Sequence, residues 1–167
     1  MRALSLRCPF PWLVVNGHKP WENRRQNTRM RGWVLVHASR QYSGEDLRMA
    51  RDMLARLKAP ELPLVEMLEH LVSGLMPRDP CPWLMAGGIV GAMRIDAVAP
   101  PIRAGYGDPL PDWRLYGSFG YEIGAVERLP FVPCSGKLGF WRVPFALARE
   151  LEAKTPIWLW DELQKNA

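Results

Sequence analysis

Apolar positions change their spacing several times along this chain. "ALSLR" (3–7) alternates with a period of two and predicts a short strand with Leu4 and Leu6 inward. "PFPWLVVNG" (9–17) predicts a short helix, with prolines near its start, Trp12, Leu13 and Val15 in its body and Gly17 at its C-cap. "GWVLVHAS" (32–39) predicts a strand bounded by Gly32 and Ser39. The spacing then becomes helical. Ser43 is placed to cap a helix, with Asp46 in the capping-box position and Leu47, Ala50, Leu54 and Leu57 as its apolar stripe. After "KAPELP", a second helix carries Val65, Leu68, Leu71 and Val72 and stops at Gly74.

Strand periodicity returns in "GGIVGAMRIDAV" (87–98), which predicts Ile89, Met93 and Ile95 on one face and Arg94 and Asp96 on the other. Residues 100–117 are rich in Pro and Gly and predict a long loop, a length usually reserved for function or mobility. "FGYEIGAVERLPF" (119–131) and "GKLGFWRVP" (136–144) predict two more strands, and "FALARELEA" (145–153) a helix. Thr155 and Pro156 open a last helix, "IWLWDELQ". The class is α+β: five to six short, mostly antiparallel strands curled into a small open barrel, with flanking helices and a two-helix insertion over 43–76. Residues 1–154 form one domain, and 155–167 a C-terminal helix packed on its body.

The 167 residues, 48% hydrophobic and 23% charged, suffice for one domain with a real core. Sixteen prolines argue for short elements joined by fixed turns rather than a helical bundle. Cys8, Cys81 and Cys134 are dispersed and form no ligand-like cluster with His18, His37 and His70, so neither a structural metal nor a cofactor is expected. The same cysteine pattern suits a reducing compartment. "MRALSLRCPFPW" lacks the apolar run of a signal peptide, no stretch is long enough to span a membrane, and a cytoplasmic protein is the default expectation.

Charge changes the picture more than composition does. Residues 1–42 hold eight basic side chains against one acid, Glu22, whereas residues 43–167 hold 14 basic and 16 acidic ones. Seven of the eight are arginines, whose planar fork suits phosphate. This asymmetry fits either a solvated basic surface or a polyanion-binding face, and the second is the favoured reading.

The residues Gly17, Lys19, Glu22 and Arg24, then Arg31, Gly32, His37, Ala38 and Ser39, and later Gly136, Gly139 and Trp141, carry a resemblance. Their order resembles the ASCH domain, a branch of the PUA-like superfamily, in the subfamily pattern G-x-K-x-x-E-x-R followed by R-G-x-x-x-[IV]-H-A-S. The resemblance implies a PUA-like pseudo-barrel with a cleft beside the first helix, lined by Lys19, Glu22 and Arg24. It also implies binding of RNA or recognition of a modified nucleotide. One group of the family deacetylates N4-acetylcytidine with a threonine three residues after the motif lysine. Glu22 stands there in this chain, and a carboxylate cannot replace that nucleophile.

The expected function is nucleic-acid binding, of RNA or a modified nucleotide. Lys19 supplies a movable charge, Trp21 or Trp12 a stacking face, and Arg25, Arg29, Arg31 and Arg40 the phosphate contacts. Asn23, Arg24 and Ser39 complete the expected contact set. Glu22 either reads a base's donor edge or pairs with Arg24 to fix the loop. His37, in an apolar strand, suits a satisfied core position better than a catalytic one. A ribonuclease with Lys19 and Glu22 as catalytic groups, aided by Arg24 and His37, is the alternative. A protein-interaction module using the added helices or the 100–117 loop is a third reading.

Overall fold

The computed structural model describes residues 1–56, 85–103 and 113–166. The second expected helix, Leu57 of the first, and residues 104–112 of the long loop lie outside the described residues. In chain order the elements are β1 (Arg2–Arg7), α1 (Phe10–Val15), β2 (Trp21–Arg24), β3 (Gly32–Ser39), α2 (Gly44–Arg56), β4 (Gly88–Ala99), β5 (Phe119–Pro133), β6 (Phe140–Arg142), α3 (Phe145–Glu152) and α4 (Ile157–Gln164). The strands form one six-stranded sheet in the order β2-β5-β4-β3-β1-β6. All neighbours are antiparallel except β1 and β3. The result is an α+β half-barrel.

β3 reads as a nearly unbroken apolar run because both of its faces are covered. Trp33 and Leu35 join Ala3, Leu151, Leu159 and Leu163 beneath α3 and α4, while Val34, Val36 and Ala38 join Leu4, Leu6 and Val14 on the concave side. Each fully buried aliphatic contributes about 1.5–3 kcal/mol relative to exposure. A third cluster seats α2 on α1: Leu47, Ala50 and Leu54 meet Leu13, Cys8 and Trp113. The start of α2 is a capping box. The Asp46 N–H donates to Ser43 Oγ at 3.1 Å, and the Ser43 N–H donates to Asp46 Oδ2 at 2.9 Å.

Two sequence expectations are corrected, and one element is added. Ile89 does not share a face with Met93 and Ile95: it sits under α3 and α4, and they face the concave side. The ladder explains it, for Val36 pairs with Gly91 and His37 with Ile89, so Val90 is an extra residue that flips the alternation. The "GKLGFWRVP" strand shrinks to Phe140–Arg142, because Gly139 adopts φ +70° and the four residues before Phe140 form a loop. "WENR", for which no element was expected from sequence, is an edge strand, β2.

Candidate functional site

The end of α1 sets the site. The Gly17 N–H donates to the Val14 carbonyl at 2.9 Å and the His18 N–H to the Leu13 carbonyl at 2.9 Å, a Schellman closure with Gly17 at φ +78°. The chain therefore reverses sharply into Lys19. β2 begins only after Pro20, so Lys19 escapes the strand alternation that would otherwise separate it from Glu22. The two side chains converge, with Lys19 Nζ 2.7 Å from Glu22 Oε2.

A chain of contacts runs from there along a cleft of about 1160 Å³. At one end, Lys19 Nζ lies 5.3 Å from the Phe10 ring and 6.0 Å from the Trp113 ring. It also donates to the Trp21 carbonyl. Glu22 Oε1 lies 2.9 Å from Arg24 Nε, an ion pair in which the N–H is not aimed at the oxygen. Arg24 Nη2 donates to the Ser5 carbonyl at 2.7 Å. At the far end, the Ser5 hydroxyl donates to the Lys137 carbonyl at 2.6 Å and accepts from Trp141 Nε1 at 3.0 Å. His37 Nδ1 stands 3.2 Å from the same hydroxyl, and His37 Nε2 stands 3.2 Å from the Cys134 carbonyl. A carbonyl only accepts, so Nε2 carries the proton. The imidazole is a satisfied, buried group with Trp141 edge-on at 5.7 Å.

The electrostatics follow from burial. Lys19 and Glu22 are both nearly inaccessible. Burial pulls the Lys19 ammonium below the ordinary lysine value, with Glu22 opposing. Burial would raise Glu22, but Lys19 and Arg24 outweigh it and hold the carboxyl below its usual range. Burial lowers His37, against the bond to Cys134.

Of the residues expected from sequence, Lys19, Glu22, Asn23, Arg24, His37, Ser39 and Arg40 line the cleft. Asn23 also clasps the 113–115 segment, donating to the Trp113 carbonyl at 2.5 Å and accepting from the Leu115 N–H at 3.0 Å. Trp21 is absent from the cleft lining, and the Arg114 guanidinium lies 5.0 Å from its ring. Trp12 stacks on His18 at 5.5 Å, likewise away from the lining. Arg25, Arg29 and Arg31 are exposed but do not line the cleft. Sequence reading passed over Phe10, Met53 and Trp113 at the aromatic end and Ser5 and Lys137 at the other. Of these, only the Gly136/Gly139 pair around Lys137 offered a local cue. Among the described residues no three His, Cys, Asp or Glu side chains group as a metal site, and no helix is long and apolar enough to cross a membrane.

No family model matches the sequence, and no curated protein does. A solved structure, a Tyr-to-Phe mutant of ZmASCH from Zymomonas mobilis, is similar to this chain with a TM-score of 0.51 and 11% identity. The match covers 92% of this chain and 98% of that one. The fold of this chain is therefore ASCH-like.

Proposed function

We propose that the cleft binds a nucleotide, within single-stranded RNA or as a modified nucleoside phosphate. The observation that carries this reading is the graded cleft. Phe10 and Trp113, clustered with Met53, flank Lys19 at one end, Arg40 and Lys137 line the other, and the Lys19–Glu22–Arg24 chain runs between them. A base has a π-face for the aromatic end, and its phosphate has charge for the basic end. The ASCH-like fold and the concentration of arginine in the first quarter of the sequence support the same class of ligand.

RNA cleavage with Glu22 as the base is the weaker reading. It asks for basicity that Lys19 and Arg24 remove from the carboxylate. The test is binding of labelled single-stranded RNA and DNA across a salt series, followed by a denaturing gel. Intact RNA, bound with a salt-dependent affinity that Arg24→Ala weakens, supports the binder. RNA cleaved by the wild type but not by Glu22→Gln would establish the nuclease.

A further inference from the structure

The motif residues are the obvious contacts for an anionic ligand, yet their charges are committed to the protein. Lys19 is held by the Trp21 carbonyl and Glu22, and Arg24 by Glu22 and the Ser5 carbonyl. Arg7, at the end of β1, is paired with Asp46 of α2 at 3.1 Å. Among the described residues lining the cleft, the cations without a carboxylate partner are Arg40 and Lys137.

Both belong to the same end of the sheet. Arg40 follows β3 and lies against Gly87, where a Cβ would stand 2.5 Å from its Nε, so the guanidinium occupies space that only glycine leaves. The Gly87 N–H donates to the Ala38 carbonyl at 2.7 Å, and its carbonyl accepts from the Cys134 N–H at 3.0 Å. The seat of Arg40 is thereby tied to the start of the β5–β6 loop. That loop is pinned at three further points: the Cys134 carbonyl by His37, the Lys137 carbonyl by Ser5 Oγ, and the Gly139 carbonyl by the Ser5 N–H at 3.3 Å. Gly136 is closed over His37, for a Cβ there would lie 2.2 Å from the imidazole Cε1. The Lys137 backbone is thus fixed while its side chain is exposed at the cleft. A charge on a fixed backbone loses less freedom when a ligand arrives. Beside it, Leu138 is 97% exposed. An apolar surface next to an uncommitted ammonium suits a phosphate carried on a sugar or base better than a free ion.

We infer that Arg40 and Lys137 form an anion subsite at the His37 end of the cleft, and that it takes the phosphate of an organic phosphate ester. The identity of that ester as a nucleotide rests on the function proposed above; the subsite itself does not. The test has two arms, on the full chain and its Lys137→Ala, Arg40→Ala and Arg24→Ala variants. In the first, amide and side-chain NMR signals are followed during titration with inorganic pyrophosphate, with adenosine monophosphate and with inorganic phosphate. In the second, anisotropy of a fluorescein-labelled, mixed-sequence RNA octamer is read across a salt series.

Shifts centred on Lys137 and Arg40, stronger for the nucleotide than for inorganic phosphate, are expected. Each of those two variants should weaken RNA binding about threefold to tenfold and lower the salt slope by about one. Shifts at Lys137 and Arg40 with pyrophosphate but none with adenosine monophosphate, and no RNA binding, would leave the anion subsite standing and overturn the nucleotide reading. RNA binding lost in Arg24→Ala but unchanged in affinity and slope in Lys137→Ala and Arg40→Ala would overturn the subsite alone. No shift at either residue with any probe, together with no RNA binding, would overturn both.

Discussion

Replacing Glu22 by Gln keeps the shape of the side chain and removes its charge. The Lys19 ammonium, 3% exposed, would then keep the Trp21 carbonyl, an amide oxygen and two aromatic faces, with the like charge of Arg24 nearby. Removing one partner of a buried ion pair typically costs about 3–5 kcal/mol, since the other charge stays desolvated. Two details place this case at the lower end. The glutamine oxygen still accepts a hydrogen bond from Nζ, and Arg24 is 22% exposed, so water compensates its share. We therefore expect a loss of about 3 kcal/mol.

The reverse change, Lys19→Met, should cost less, about 1–2 kcal/mol, because Glu22 keeps Arg24. The double variant should then be less destabilised than the sum of the singles by about 2 kcal/mol. Urea unfolding followed by the emission of the eight tryptophans measures all three. A second signature is pH. Lys19 is held below its ordinary value of 10.5 by burial, and losing Glu22 removes the influences that oppose this. A lysine with a lowered folded-state value makes the protein more stable as pH rises toward 10.5, so the deficit of Glu22→Gln should narrow between neutral pH and that point. Glu22→Gln within 1 kcal/mol of wild type, or Lys19→Met as costly as Glu22→Gln, would refute the buried-pair account.

Asn23→Ala removes both bonds that clasp the 113–115 segment, so we expect a loss of about 1–3 kcal/mol and faster amide exchange at Leu115, read by NMR. His37 is held below its ordinary value of 6.5 by burial, so the closed β5–β6 loop keeps its full stability above that pH and loses it as pH falls below. Protection of the Ser5 amide, which bonds to Gly139, should drop in that window in wild type and stay level in His37→Gln. Gly136→Ala places a methyl group on the imidazole, and the expected result is loss of loop protection at every pH, with the strands between β1 and β5 unaffected.

Much of the fold was legible because its elements carry local cues. β3 stands out for its apolar run, α2 for Ser43 and Asp46, and α1 for the Gly17 reversal. β2 was not legible. "WENR" has no apolar alternation, and it becomes a strand only because Tyr121 and its neighbours on β5 offer an edge to Glu22 and Arg24. The face of Ile89 was misread for a related reason. Strict alternation was assumed across a bulge, and a bulge at Val90 exists only with respect to a partner strand. Trp21 looked like a stacking platform in sequence, yet Arg114, distant in the chain, lies over its ring. Each of these cases turns on a partner far away in sequence, which periodicity and caps do not encode.

The motif illustrates how residue identity and role come apart. Lys19, Glu22 and Arg24 were singled out as a polar cluster, and the structure brings them together through Pro20 and the end of α1. Their charges face one another first, however. A carboxylate between two cations leaves a net single positive charge, spread over a chain of contacts that also secures the Trp21 and Ser5 carbonyls. Such a chain is a rigid floor with weak net attraction, and rigidity is what a base-sized ligand needs beneath it. On the proposed reading, attraction for a polyanion comes from cations without a carboxylate partner, and among the described residues of this cleft those are Arg40 and Lys137. Of the two residues of the inferred subsite, a charge count along the first quarter of the sequence includes Arg40 and leaves out Lys137. Lys137 lies 97 positions after Arg40, and the return of β5 to the start of β4, beside the end of β3, brings its loop to the same opening.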